Sequence, residues 1–131
     1  MTSPPDTLIA LLDIDIVEVG PDRVVLEMPI GPKVHQPMGL LLGGASAALA
    51  ETAASLGAYA NCDPSSQYAV GIELNISHLR ARTQGTLRAT ATPVRKGRAV
   101  HVWNIDLIDQ DAVPIAVARC TLAIRTNSRE A

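Results

Sequence analysis

Between Lys33 and Asp63 the only Asp, Glu, Lys or Arg is Glu51. It stands among Ala47, Ala48, Ala50, Ala53 and Ala54, in a proline-free, alanine-rich run over 45–60 that predicts a helix. A carboxylate on a helix that a sheet must cover is expected to be buried, which costs several kcal/mol or moves its pKa. Such a penalty points towards function. Taken alone, Glu51 reads more readily as the polar position that any helix carries. Its neighbours change that reading. Ser55 follows four residues later on the same helical face. Gly43 and Gly44 come about two turns earlier, where free N–H groups and the positive end of the helix dipole collect. Two glycines also let the backbone approach a carbonyl closely. A carboxylate with a pair of N–H donors is the equipment of acyl transfer: an attacking group or base, and a hole for the developing oxyanion.

The other reactive side chains have plainer readings. His35, beside Lys33 in a Pro- and Gly-containing loop, reads as solvated, and His78 reads as an edge residue at the end of an alternating strand. His101 alternates with Trp103 and reads as structural. Cys62 and Cys120 are too few for a disulfide framework, have no metal-type spacing and lack the basic neighbours of a nucleophilic thiol. No metal or cofactor is expected, and a reducing, cytoplasmic setting is. A net charge of -2 and only three aromatic residues argue against nucleic-acid binding. Arg80, Arg82, Arg88, Arg95, Lys96 and Arg98 form a loose basic group, read as a solvated face with one or two possible phosphate contacts. The first basic residue is Arg23, so no signal-peptide pattern opens the chain, and no apolar run reaches the ~18 residues of a membrane span.

At 131 residues the chain is read as one domain, 1–131, with tails at 1–7 and 126–131. Residues 8–19 are apolar at irregular spacing and alternate in their second half; 23–30 make a second strand. After the helix come four strands, at 68–79, 85–94, 99–108 and 115–124, joined mainly by short turns that imply antiparallel neighbours. In 68–79 the alternation puts Val70, Ile72, Leu74 and Ile76 on one face. The expected fold class is α+β: an antiparallel sheet of about six strands wrapped around one long central helix. One helix does not cover six strands, which points to a homo-oligomer.

The run from Gln36 through Met38, Gly39, Leu42, Gly43 and Gly44 to Ser46, then Leu49-Ala50-Glu51, resembles the hotdog-fold thioesterases of the PaaI-like type. More narrowly, it resembles those acting on aromatic acyl-CoAs, such as 4-hydroxybenzoyl-CoA and 1,4-dihydroxy-2-naphthoyl-CoA. Gly71 to Asn75, His78 and the Gly97 turn leading to Trp103 follow in register. The resemblance implies that Glu51 is the nucleophile or the base for water, that the Gly43 amide polarises the thioester carbonyl, and that Gln36 binds or orients it. It gives Ser55 the second-step water, and makes His78 an active-site neighbour. It further implies a site shared across a dimer, within a dimer of dimers. Coenzyme A enters only as part of the substrate, meeting Gly97 and Arg98 at the surface. Gly44, Met38 and Leu42 are carried as substrate-binding candidates; Leu40, Val70 and Leu79 are further pocket candidates.

The family pattern has histidine where this chain has Leu42. That replacement removes a polar group from the site and shifts preference towards apolar acyl groups. It also keeps open a non-catalytic acyl-CoA-binding protein. A hotdog hydratase or dehydratase is a third reading, disfavoured because that chemistry relies on a histidine.

Overall fold

The computed structural model describes residues 4–127. Along the chain run helix α1 (Leu8–Leu11), strands β1 (Asp15–Val19) and β2 (Val24–Ile30), a 3-10 turn (Pro32–Val34) and helix α2 (Gly43–Tyr59). Strands β3 (Gln67–His78), β4 (Gly85–Lys96), β5 (Val100–Ile108) and β6 (Pro114–Thr126) complete it. The six strands form one antiparallel sheet in the order β1-β2-β4-β5-β6-β3, with α2 packed across it.

Small side chains bring α2 close to the sheet. Ala50, Ala53, Ala54 and Ala58 are fully buried against a floor that includes Ala89 and Ala91. Trp103, the largest core side chain, lies where the helix has no side chain: a Cβ on Gly57 would stand 2.5 Å from its indole. Leu26, Met28, Leu49, Leu87 and Leu107 are fully buried too, each stabilising the fold by about 1.5–3 kcal/mol. The Trp103 indole N–H donates to His101 Nδ1 at 3.2 Å. Burial, and then the charge of Lys96, holds the His101 imidazole below its usual pKa, in the neutral form that this bond requires. At the far end of α2, Asn61 Nδ2 donates to Gly57 O and to Pro21 O, both at 2.9 Å, closing the helix and tying it to the β1–β2 turn.

Three sequence expectations change. The first half of 8–19 is a short helix: Thr7 caps it by accepting from the Ala10 N–H, and the Lys33 ammonium holds its end through Leu11 O and Asp13. Next, β3 and β4 are consecutive but not neighbours. The chain leaves α2 on the β6 side, so β3 pairs with β6 at the sheet edge and residues 79–84 cross back to β4. Last, β3 is bulged. Gly71 pairs with Leu122 and Glu73 with Thr121, leaving Ile72 as the extra residue. The insertion inverts the alternation. Leu74 and Ile76 pack on the core, whereas Val70 and Ile72 are exposed, at 37% and 55%.

Candidate active site

At the start of α2 the N–H groups of Gly43 and Gly44 have no helical carbonyl a turn behind them, and Leu42 supplies no side-chain cap. The His78 imidazole, at the end of β3, lies flat against this point. A Cβ on Gly43 would be 2.8 Å from His78 Nε2, so only glycine admits the ring there. Gln36 approaches from the preceding loop. Its Oε1 accepts the N–H groups of Met38 and Leu40, which leaves the amide NH2 as its free donor. Gly43, Gln36 and His78 line one cleft of about 380 Å³ with Leu40, Leu79 and Arg80. Ser46, one turn after Gly43, lines it too, and its Oγ is buried without a hydrogen-bond partner.

Glu51 opens onto a different cleft, of about 480 Å³. One stripe of α2 supplies Gly44, Ala48, Glu51 and Ser55; Leu74 comes from β3, and Leu8 and Ile9 come from α1. The carboxylate lies over the β3 bulge, where a Cβ on Gly71 would be 2.7 Å from Oε2. Beneath it, burial and then the charges of Glu51 and Glu73 push the Cys120 thiol up to about 12, too high for a nucleophile. Contrary to the sequence expectation, Glu51 is not buried in its own chain; it is exposed. The sheet covers only one face of α2, the one with Ala45, Leu49 and Ala53, and Glu51 stands on the other.

Eight residues of helix separate Gly43 from Glu51, a rise of about 12 Å. Reacting groups must come within about 3–3.5 Å of one carbonyl. One chain therefore brings Glu51 and Ser55 together, and Gly43, Gln36 and His78 together, but not the two sets. Of the other candidates, Leu42 is 45% exposed and packs on Gly44, and Met38 is 81% exposed at a loop tip outside both clefts. Gly97 and Arg98 form the β4–β5 turn, where the Gly97 N–H donates to Val100 O at 2.9 Å. Lys96 beside them is engaged by Asp22 at 2.6 Å and by Asn61 at 3.2 Å, which puts this turn at the C-terminal end of α2. Arg80 and Arg88 are likewise engaged, by Pro114 O and by Glu27.

His35 donates through Nε2 to Thr83 O at 2.7 Å and lines neither cleft. Sequence reasoning missed Ser46, whose signal was its position three residues after Gly43 on the same helical face. It also missed Leu8 and Ile9, for which no local signal existed.

A family description, the thioesterase superfamily, matches residues 38–116. ComA2 of Bacillus subtilis is 46% identical over 118 residues, covering 90% of this chain and 94% of its own. A 1,4-dihydroxy-2-naphthoyl-CoA hydrolase of Listeria monocytogenes is 37% identical, covering 87% of this chain and 92% of its own. Among solved structures, a Glu-to-Ala variant of SAV0944 from Staphylococcus aureus superimposes with a TM-score of 0.90 at 36% identity, covering 92% of this chain and 100% of that one. A Gln-to-Ala variant of the same protein, called a thioesterase, gives 0.88 at 36% identity, covering 90% and 98%. The two replaced residues lie fifteen positions apart. The sheet, the central helix and these relatives agree: this chain belongs to the thioesterase superfamily, as a hotdog-fold thioester hydrolase.

Proposed function

We propose that the enzyme hydrolyses the thioester of an aromatic acyl-CoA to the free acid and coenzyme A, at a site built between two copies of the chain. The observation that carries this reading is the separation of the two clefts along α2. The Glu51 cleft of one copy meets the Gly43 cleft of another, so that the Gly43 N–H and the Gln36 amide polarise the carbonyl while Glu51 faces its carbon. Glu51 either attacks the carbon, releasing the CoA thiolate and leaving an anhydride for water to open, or takes the proton of an attacking water. Ser55, one turn on from Glu51, holds that water, and His78 packs the donor side.

The glutamine and glutamate replaced in the SAV0944 variants have the spacing of Gln36 and Glu51, and a listerial relative is named for an aromatic acyl-CoA. The uncovered stripe of α2 and the apolar residues Tyr68, Val70 and Ile72 on edge strand β3 give a second copy its contact. Two such dimers make the tetramer, working in the cytoplasm. Arg98 and Gly97, at the opposite end of α2 from Gly43, receive the nucleotide end of coenzyme A.

Release of free thiol from a panel of aromatic and aliphatic acyl-CoAs tests the reaction. Turnover is expected to be fastest with aromatic esters and abolished in Glu51→Ala. Full activity in that variant, or no turnover of any ester, sinks the reading. Subunit mixing tests the shared site. Glu51→Ala and Gln36→Ala chains refolded together recover about a quarter of native activity if the site spans two copies of a symmetric dimer, because each mixed dimer rebuilds one intact site. They recover none if each chain works alone. The apolar, exposed Leu42 favours one second reading, an acyl-CoA-binding protein without turnover. Tight binding by calorimetry with no thiol release would establish it.

A further inference from the structure

Gln36 and Gly43 are not on one rigid element, and the structure contains a device that holds them in register. Residues 35–41 fold into a closed tongue. His35 bridges Leu41, the Gln36 N–H donates to Leu40 O at 2.7 Å, and the Gly39 N–H donates to Gln36 O at 2.9 Å. The Leu42 N–H closes the base on Val34 O at 2.8 Å, one residue before α2 begins. The tongue is gripped from outside at both ends by two adjacent carbonyls of the β3–β4 link. Arg82 O accepts the Leu41 N–H at 2.8 Å, and Thr83 O accepts His35 Nε2–H at 2.7 Å.

The link is itself held by the β5–β6 turn at the same end of the sheet. Arg82 Nε donates to Asp109 Oδ2 at 3.0 Å, and the Asp109 side chain is 3% exposed. Its other oxygen takes the N–H groups of Asp111 and Val113, both at 2.9 Å, so it is anchored in the β5–β6 turn. The Leu79 N–H and the Arg80 guanidinium fasten the same link to the carbonyls of Ile115 and Pro114.

We propose that His35 is a positioning residue, and that with the Asp109–Arg82 pair it forms a clamp that holds the Gln36 amide donor beside the Gly43 N–H, so that both converge on one carbonyl oxygen. This rests on the reading of Gln36 as a carbonyl ligand. His35 contributes no group to the reaction, because its Nε2 proton is engaged by Thr83 O. Its role is to fix the tongue so that the Gln36 donor needs no reordering when a thioester enters.

The test compares His35→Leu, which has no donor, with His35→Gln, whose amide N–H restores one, each alone and with Gln36→Ala. His35→Leu is expected to lower kcat about tenfold with KM within about twofold, and His35→Gln to recover most of that. In the Gln36→Ala background His35→Leu should cost less than about a further twofold, the non-additivity of residues acting through one another. Losses that multiply in the double variant, or a His35→Leu enzyme as fast as the native one, overturn the clamp alone. Native activity in Gln36→Ala overturns the reading of Gln36 and the clamp with it. Amide hydrogen exchange at Leu40 and Leu41 reads the tongue without turnover. It should accelerate in His35→Leu and not in His35→Gln, and unchanged protection in both overturns the proposal.

Discussion

The two clefts on α2 are built by opposite means. The Gly43 cleft is a hydrogen-bonded construction: Gln36 is held in the tongue, the tongue by the β3–β4 link, and the link by the nearly buried Asp109. The Glu51 cleft is walled mainly by side-chain packing. Its outer wall is the four-residue α1, which has no buried residue and whose Leu8 is 59% exposed. Hydrogen bonds are directional and fix donors to fractions of an ångström, which carbonyl activation requires. Apolar walls are adaptable, and discriminate acyl groups by fit. The difference teaches that one end of the helix is fixed by hydrogen bonds and the other by packing; on the proposed reading, the first suits carbonyl geometry and the second substrate shape.

Five substitutions would break or sharpen that comparison. The largest effect is expected from Gly43→Ala. Its methyl would clash with His78 and displace the ring or the helix start; alanine keeps the N–H, so kcat should fall by up to about 10²-fold, the scale of an oxyanion donor moved out of reach. Thiol-release kinetics measure it, and a loss of less than threefold would show that this end is not geometrically strict. Gly71→Ala is the counterpart at the other cleft. Its Cβ meets only the flexible end of Glu51, so kcat should fall about tenfold through a displaced carboxylate while the melting temperature barely moves. Equal losses of stability in the two variants would erase the contrast.

Asp109→Asn addresses the hydrogen-bonded side through pH. The Val113 amide first, then Arg82 and the Asp111 amide, holds the Asp109 carboxyl below its ordinary value. The lowered folded pKa means that its stabilisation is fully present above the ordinary carboxylate pKa and is lost as pH falls through the folded value. Denaturant titrations across that acidic range should show the native enzyme losing stability more steeply than Asp109→Asn. Parallel curves would mean that the clamp carries no charge-dependent strength. The smallest effect belongs to Leu8→Ala and Ile9→Ala, which should change the ratio of kcat/KM between bulky and small acyl-CoAs by about three- to tenfold, less than the roughly 10- to 200-fold of one methylene in an enclosed pocket because this wall is exposed, with little change in kcat on the better substrate. An unchanged ratio would remove α1 from the acyl pocket.

Much of this was legible in the chain. The alanine run announced α2, which begins at Gly43, two residues before the run itself. The alternating segments announced the strands to within about two residues. The free N–H groups at the start of α2 were legible because a glycine pair at a helix start has a local meaning. Two features were not. The β3 bulge at Ile72 was marked only by Gly71, in a run whose apolar alternation continues without interruption, and it moved Val70 and Ile72 to the exposed side. The exposure of Glu51 depends on which face of α2 the sheet takes, and a helix that is apolar nearly all round does not declare this.

Composition and periodicity were enough to determine the α+β class and the central helix, and the glycine-to-glutamate spacing to nominate residues for acyl-transfer chemistry, because each is a property of neighbours in sequence. Only the tertiary structure decided that Glu51 and Gly43 face separate clefts, that α1 walls one of them, and that His35 grips a link between strands. Those facts depend on where residues distant in sequence come to rest, which is settled by packing the whole sheet around one helix.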